Sequence, residues 1–474
     1  MSRKKLFLEN MMIYGVFGAL DKIIPFMMLP VITRLLVTPE NFSIYSLYSL
    51  LVGLGGSIVT IGIYDAMFRE YYVLDDIQYK KNVLKTASIM IIFSSIAFFL
   101  FGLLFVKSIN TLIFNDDKFI LVTFLALFTI LFNGIKMPFF APVRLLNKRK
   151  EYVFTNIAYS LVIYVIGLIL IIIGYSYYGI IYSTLIATLL LFIYFFMFHR
   201  NHQRNGVFTK SIAVSLLLIG LPLVPNLLVY WIYESFDKLM ITRLIGNSEM
   251  GIYSVAGKFS KISHLIHIAF AGGWQFFAFS TMNDIDQVKL NSRVYEIFLV
   301  ITIVIFSSFM LVFRFAFELL FEASYYSGIA SIPYLFLSPL ILILIQISGN
   351  QFIIAKKSYL IVVILFLGAG LNILLNFVLI PIMGITGAAI ATFSGYVLSL
   401  IITIFTLKHR KLIESSKNIG FLYAITTLII LVLILTNGMN FLVNTVLFFI
   451  NILILIYLYK KEILIISKKI LKKR

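Results

Sequence analysis

Long apolar segments separated by short polar loops run through the whole chain. A helix of about 20 apolar residues crosses the hydrocarbon core of a bilayer. Fourteen such segments occupy residues 10–34, 42–67, 84–106, 119–142, 153–174, 178–198, 211–242, 251–280, 295–319, 330–354, 359–382, 387–407, 419–436 and 441–459. The pattern predicts an all-α polytopic membrane protein with about 14 transmembrane helices. Pro222 and Pro225 predict a kink in the seventh helix.

The loops between these segments form two alternating sets that differ in basic content. The set that includes both chain ends carries 29 of the 39 Lys and Arg residues, the other set carries four, and the segments themselves carry six. Because cytoplasmic loops collect Lys and Arg, we expect a multi-pass protein of the bacterial inner membrane with both termini in the cytoplasm. The first segment lacks a clear cleavage site for a signal peptidase, so we expect it to be retained as a helix.

Composition narrows the possible partners and chemistry. The chain is 61% hydrophobic and 12% charged, whereas soluble domains are about a quarter charged. A net charge of +19 would suit nucleic acid or an anionic membrane, but the basic residues lie between apolar segments. This position indicates membrane lipid and argues against a nucleic-acid partner. The absence of cysteine and of a P-loop predicts no disulfide, no thiolate metal site and no cofactor such as ATP.

An internal repeat is visible in polar and glycine positions. Ile-Thr-Arg-Leu occurs at residues 32–35 and again at 241–244, and Ile-Tyr-Ser occurs at 44–46 and again at 252–254. Further matches at nearly the same offset pair Lys148 and Arg149 with Lys356 and Lys357, Gly179 with Gly387, and Thr184 with Thr392. A shared apolar composition does not explain matched polar positions, so the pattern indicates two copies of one structural unit.

The repeat covers six predicted helices, so both copies start on the same side of the membrane. Parallel repeats of this kind are related by an axis along the membrane normal. We expect a six-helix lobe at residues 1–208, a second six-helix lobe at 209–407, and two additional helices with a basic tail at 408–474. We further expect the two lobes to enclose a central cavity that opens to either side.

Three blocks of sequence carry a family resemblance. They are Pro-Val-Ile-Thr-Arg-Leu at 30–35 with Glu-Asn-Phe-Ser-Ile-Tyr at 40–45, Asp237 and Lys238 with Gly-Ile-Tyr-Ser at 251–254, and Leu371, Asn372, Asn376, Pro381 and Gly384 with Gly-Ala-Ala-Ile-Ala-Thr at 387–392. Through about residue 407 the chain resembles the MOP exporter superfamily, and within it the Wzx-type flippases of O-antigen and capsule repeat units. That family usually has a glycine near the position of Ser43, and many members stop after twelve spans.

The resemblance implies a function. Wzx-type proteins move undecaprenyl-pyrophosphate-linked oligosaccharide units from the cytoplasmic to the periplasmic leaflet by alternating access between two lobes. The implied partners are the lipid-linked oligosaccharide, membrane lipid, a polysaccharide polymerase and a chain-length regulator. The two additional helices leave the subfamily open.

Charged side chains within the predicted spans are candidate functional residues, because a charge in the bilayer is costly. The basic candidates for a cationic cavity that binds pyrophosphate are Lys22, Lys136, Lys238, Lys258, Lys261 and Arg314. Lys258 and Lys261 share a helix face and have no acidic residue one turn away, although snorkelling to the interface would also explain them. Arg314 lies four residues from Glu318, the spacing of an ordinary ion pair.

The acidic candidates for carrying a coupling proton or sodium ion are Asp237, Asp21 and Glu234. Lys238 complicates two of them, because it adjoins Asp237 and has ion-pair spacing to Glu234. His264 and His267 continue the face of Lys258 and are expected to be packed.

Other functions stay open at this point. The in-span charges, six basic and five acidic, favour an anionic substrate only slightly over the cation of a multidrug or other small-molecule antiporter. A lipid II-type flippase also suits fourteen spans. A membrane polysaccharide polymerase or glycosyltransferase would need a sizeable extracytoplasmic loop, and the longest predicted one has about a dozen residues. We therefore expect a transporter and no enzymatic activity.

Overall fold

The protein is helical throughout the part that the structure describes. The structure is a computed structural model, and it describes residues 17–267, 270, 274, 278, 281–282, 284–414, 418–436 and 440–460, among which no strand occurs. The first eight helices are α1 Phe17–Leu35, α2 Pro39–Thr60, α3 Ile63–Tyr71, α4 Ile77–Leu104, α5 Val106–Phe114, α6 Ile120–Leu145, α7 Arg149–Leu170 and α8 Tyr177–His199. The others are α9 Lys210–Gly220, α10 Val224–Leu244, α11 Asn247–Ser260, α12 Gln287–Leu320, α13 Ile332–Ile354, α14 Tyr359–His409, α15 Ile419–Thr436 and α16 Phe441–Leu458.

As far as the described residues reach, the fourteen predicted spans coincide with one helix, with two consecutive helices or with one arm of α14. Among the described residues, nine helices are long and apolar enough to cross a membrane. The predicted all-α membrane fold is confirmed. Parts of the first and eighth predicted spans, residues 10–16 and most of 268–280, lie outside the described residues.

Local sequence signals explain where several helices begin. Thr38 is extended and its side chain accepts a hydrogen bond from the backbone N–H of Asn41, while Pro39 occupies the first turn of α2. Asn440 caps α16 in the same way by accepting from the N–H of Val443 at 3.1 Å. These side chains satisfy N–H groups that have no partner within the helix.

The same hairpin turn occurs twice, 208 residues apart. Ser176 has φ 49° and ψ −136°, and Gly384, which divides α14 into two arms, has φ 58° and ψ −140°. Three residues later a glycine lies against the preceding helix, because a Cβ on Gly179 or on Gly387 would overlap the backbone of that helix. The turn therefore repeats at the offset read from the sequence, which supports the parallel repeat. The absence of a side chain at Gly387 also allows the two arms of α14 to pack closely.

Two interrupted helices contact each other at their breaks. Ile61 and Gly62, both left-handed, separate α2 from α3. The 3₁₀ turn Leu221–Leu223 separates α9 from α10 beside the proline pair, and a kink there stays a prediction. A Cβ on Gly62 would overlap the carbonyl oxygen of Gly220, so the breaks meet backbone to backbone. Only glycine permits this approach together with the positive φ of residue 62.

The described contacts divide the chain into two units, Met1–Ser254 and Val255–Arg474. In the first unit, α3, α4, α6 and α9 share a buried apolar cluster that includes Met67 and Leu84. In the second unit, Phe352 of α13 packs with residues from both arms of α14. The lobe boundaries predicted after residues 208 and 407 stay a prediction.

Two buried asparagines attach the last helix, α16, to α12 within the second unit. The Nδ2 of Asn444 donates to the carbonyl oxygen of Met310 at 3.3 Å, and the Nδ2 of Asn451 donates to the Oγ of Ser307 at 3.0 Å. Both asparagines lie on one face of α16 and bond to α12. Polar side chains that cross between membrane helices in this way fix how the helices pack.

Replacing both asparagines, as Asn444→Leu with Asn451→Leu, is expected to lower the free energy of unfolding by about 1 kcal/mol, since each such bond contributes about 0.6 kcal/mol. Thermal unfolding of the protein in detergent measures the effect. Thr445→Leu on the same helix is the control, because its exposed hydroxyl bonds only to the carbonyl oxygen of Phe441. Equal melting temperatures for the double variant and the control would contradict the attachment.

Candidate functional site

Lys136 lies within α6 of the first unit, and its ammonium group has neutral partners. Its Nζ donates to the Oδ1 of Asn133 at 2.9 Å and lies 5.2 Å from the centre of the Tyr159 ring. Within the described part of the chain, no carboxylate forms an ion pair with it. An amide and an aromatic face stabilise the cation without neutralising it, so its charge remains available to an anion.

A band of tyrosine and threonine side chains adjoins Lys136. The band links α2, α6, α7 and α8 through three pairs: Tyr159 with Thr188 at 3.3 Å, Tyr48 with Thr129 at 2.7 Å, and Tyr45 with Tyr164. Sequence reasoning missed these residues. The available signal was the presence of hydroxyl groups in otherwise apolar spans, such as Tyr45 and Tyr48 one turn apart in α2.

Asp237 is buried in α10. Its carboxylate accepts hydrogen bonds from the Tyr253 hydroxyl and, at 2.8 Å, from the backbone N–H of Lys238. The Lys238 ammonium group donates to the carbonyl oxygen of Glu234 at 2.8 Å, one turn back along the helix. The Tyr253 contact was not foreseen, and it connects α10 to the repeated Ile-Tyr-Ser motif in α11.

Lys258 and Lys261 lie at an unforeseen break in the eighth predicted span. The helix α11 ends at Ser260, Lys261 occupies a turn, and residues 262–267 are helical again. Lys258 is half-buried and Lys261 is exposed. A cation at the end of α11 is favoured by the partial negative charge of the helix terminus.

The two histidines extend this site within the second unit. The rings of His264 and His267 stack with centroids 4.9 Å apart, and the Nε2 of His267 lies 2.9 Å from the Oε1 of Gln346. Both rings therefore make packing contacts, as expected. Gln346, on α13, is a neighbour that sequence reasoning missed.

The remaining candidates have different surroundings. Arg314 donates from its Nε to the Oε1 of Glu318 at 2.8 Å, the ion pair that their spacing predicts; the Arg314 side chain is exposed and that of Glu318 is half-buried. The side chains of Asp21 and Lys22 lie outside the described residues. The structure thus places Lys136, Asp237, Lys238 and Glu234 in the first unit, and Lys258, Lys261 and Arg314 in the second.

Several solved structures with a similar fold are membrane transporters. A structure titled as the lipid II flippase MurJ in an inward closed conformation has a TM-score of 0.75 and 14% identity, and the match covers 95% of this chain and 99% of that one. An inward-facing multidrug resistance MATE family transporter of the MOP superfamily has a TM-score of 0.66 and 14% identity, with 83% and 98% covered. A MOP superfamily transporter from Pyrococcus furiosus has a TM-score of 0.59 and 13% identity, with 84% and 93% covered.

At these identities the likeness shows a shared fold, and it confirms the predicted resemblance to the MOP exporters at that level. No curated relative matches the chain. A family model described as Polysaccharide biosynthesis protein matches residues 31–322. Because this match covers more than half of the chain, the protein belongs to that polysaccharide biosynthesis family, and it has the fold of MOP superfamily transporters.

Proposed function

We propose that the protein is a flippase for undecaprenyl-pyrophosphate-linked oligosaccharide repeat units, which it moves from the cytoplasmic to the periplasmic leaflet for O-antigen or capsule assembly. The family match over residues 31–322 carries this proposal, together with the transporter fold. The described helices leave little polypeptide outside the bilayer that could form a catalytic domain. A role in transporting a biosynthetic intermediate is therefore favoured over a role in its synthesis. The proposal includes the inner membrane as location, and a polymerase and a chain-length regulator as partners.

The cationic residues support an anionic headgroup. We propose that Lys258 and Lys261 bind the pyrophosphate, because they lie together at the end of α11, within the eighth predicted span. Lys136 is a second binding group, since neutral partners leave its charge uncompensated. Charge-assisted hydrogen bonds are the strong ones for phosphate oxygens. Lys22, Lys238 and Arg314 remain further candidates.

Asp237 is proposed to carry the coupling ion, with Asp21 and Glu234 as further candidates. Asp237→Asn keeps the size of the side chain but removes the charge, so we expect it to lose most export while the protein still accumulates in the membrane. Tyr253→Phe removes the hydrogen bond to the carboxylate and keeps the charge, so it separates a positioning effect from an ionic one. The amount of surface polysaccharide in a deletion strain complemented with each variant measures its export activity. Full export by Asp237→Asn would exclude this residue as the ion carrier.

An antiporter for small molecules is the second candidate, favoured by the likeness to MATE family structures. Deleting the gene in its native host distinguishes the candidates, with complementation by the intact gene as control. The flippase predicts loss of surface polysaccharide and single lipid-linked repeat units trapped on the cytoplasmic face. Accumulation of lipid II would identify the cell-wall precursor as substrate. Intact surface polymer combined with drug hypersensitivity would overturn the flippase and support the antiporter.

A further inference from the structure

A basic pocket lies in the first unit, outside the candidate transport residues. It has a volume of about 440 Å³ and forms where the end of α3, the start of α4 and the 3₁₀ turn after α8 meet. Its lining includes Tyr71, Lys80, Lys81, Leu84, Asn201 and His202. The loops that form it belong to the basic set, so the pocket is on the side predicted to be cytoplasmic.

The charges in the pocket leave a positive excess. The Lys80 ammonium pairs with the Asp75 carboxylate and lies 5.5 Å from the centre of the Tyr71 ring. The hydrogen bond from Lys80 lowers the pKa of Asp75, so that carboxylate is ionised at neutral pH. The structure describes no ion pair for Lys81, which is half-buried. Two lysines therefore line the pocket, and the carboxylate that pairs with one of them is almost fully exposed to solvent.

Exposed apolar side chains flank the pocket. Ile77, which begins α4 and also lines the pocket, is 73% exposed, and Tyr72 and Leu74 in the preceding loop are 65% and 52% exposed. On the loop after α8, Val207 is 62% exposed, and its N–H donates to the Oδ1 of Asn82, next to Lys81. A soluble anion would not contact these apolar side chains. A lipid at the membrane surface presents a charged group and apolar chains side by side.

We propose that this pocket holds the phosphate headgroup of an anionic phospholipid, with the acyl chains along the apolar side chains of the two loops. Basic pockets between membrane helices on the cytoplasmic side bind anionic headgroups by this chemistry. Lys81 and Lys80 supply the charge, and the Asn201 amide is a neutral hydrogen-bond donor to a phosphate oxygen. The site is separate from the transport proposal and stands whether or not the protein moves a lipid-linked sugar.

Native mass spectrometry of the detergent-solubilised full chain tests this site. The protein is titrated with phosphatidylglycerol, with phosphatidylcholine as the zwitterionic probe and with inorganic phosphate as the soluble anion. Lys80→Gln with Lys81→Gln is expected to weaken binding of the first phosphatidylglycerol about 10- to 30-fold, from about 1 kcal/mol for each lysine. Lys85→Gln, which removes one charge from the same helix outside the pocket, is expected to stay within about twofold of the unaltered protein.

Lys80→Arg with Lys81→Arg shows whether charge or folding explains the loss, because it keeps the charge and should keep the lipid. Equal binding by the glutamine double variant and the Lys85→Gln control would overturn the site. So would equal affinity for phosphatidylcholine. Displacement of the lipid by inorganic phosphate at the same concentration would show a soluble-anion site and overturn the assignment to a phospholipid.

Discussion

Lys258→Ala with Lys261→Ala is expected to abolish export while the protein still folds and reaches the membrane. A hydrogen bond to a charged group contributes about 1.5–3 kcal/mol, so losing both lysines should slow transport of a pyrophosphate-linked substrate roughly 100-fold or more. The folded state should tolerate the change, because one side chain is half-buried and the other is exposed. Surface polysaccharide, normalised to the amount of protein in the membrane, measures the loss.

Two control variants distinguish the effect of where the positive charge lies from the effect of the total charge. Lys356→Ala with Lys357→Ala removes the same charge from a loop of the same unit and should leave export unchanged. Lys258→Arg with Lys261→Arg keeps the charge and should keep part of the activity, since arginine also binds phosphate but with a different geometry. Normal export by the alanine double variant would show that the two lysines reach the membrane interface and do not contact the substrate.

The membrane architecture was predictable because the bilayer imposes a strong pattern. Apolar segments long enough to cross it stand out in the sequence, and proline marked the break between α9 and α10. The breaks at Gly62 and Lys261 were not predicted. Gly62 is held in place by Gly220, a residue far away in the sequence. Such a break depends on tertiary packing and leaves no local signal beyond a single glycine.

The candidate site was predictable only in its charged members. A lysine or aspartate is conspicuous in an apolar span, but its partners come from other helices and are neutral. Tyr159 beside Lys136 and Gln346 beside His267 are examples. The effect of Lys238 on the neighbouring Asp237 stays a prediction, but the hydrogen-bond partners of the two residues could not be read from the sequence. The Lys238 ammonium group bonds to the preceding turn, and Tyr253 supplies the hydroxyl that holds Asp237.

The repeated motif at the start of α2 and α11 has a structural role that its sequence did not reveal. The two copies pack against each other within the first unit. Ser43 donates a hydrogen bond to the sulfur of Met250 at 3.2 Å, and Gly251 lies directly against the backbone of Pro39. A Cβ on Gly251 would overlap the carbonyl oxygen of Pro39. That oxygen belongs to the first turn of α2, which the Thr38 cap holds in place.

Gly251→Ala is therefore expected to destabilise the protein by about 1–3 kcal/mol, the usual cost of overpacking, and Gly251→Leu to leave little folded protein. The amount of monodisperse protein extracted from membranes and its melting temperature measure both effects. Gly53→Ala in α2 is the matched control, because a Cβ there meets no atom within 4 Å. It should stabilise the helix by up to about 1 kcal/mol, since alanine favours helix over glycine.

The same geometry makes the two motif copies unequal. Ser43 stands where the resembling family usually has glycine, and its hydroxyl has a partner in Met250. We therefore expect Ser43→Gly to be tolerated and Gly251→Ser to destabilise the protein, although the two changes are reciprocal substitutions at equivalent positions of the repeat. Similar stability of these two variants would show that the contact between Pro39 and Gly251 can open, and that α11 is free to move away from α2 at little cost.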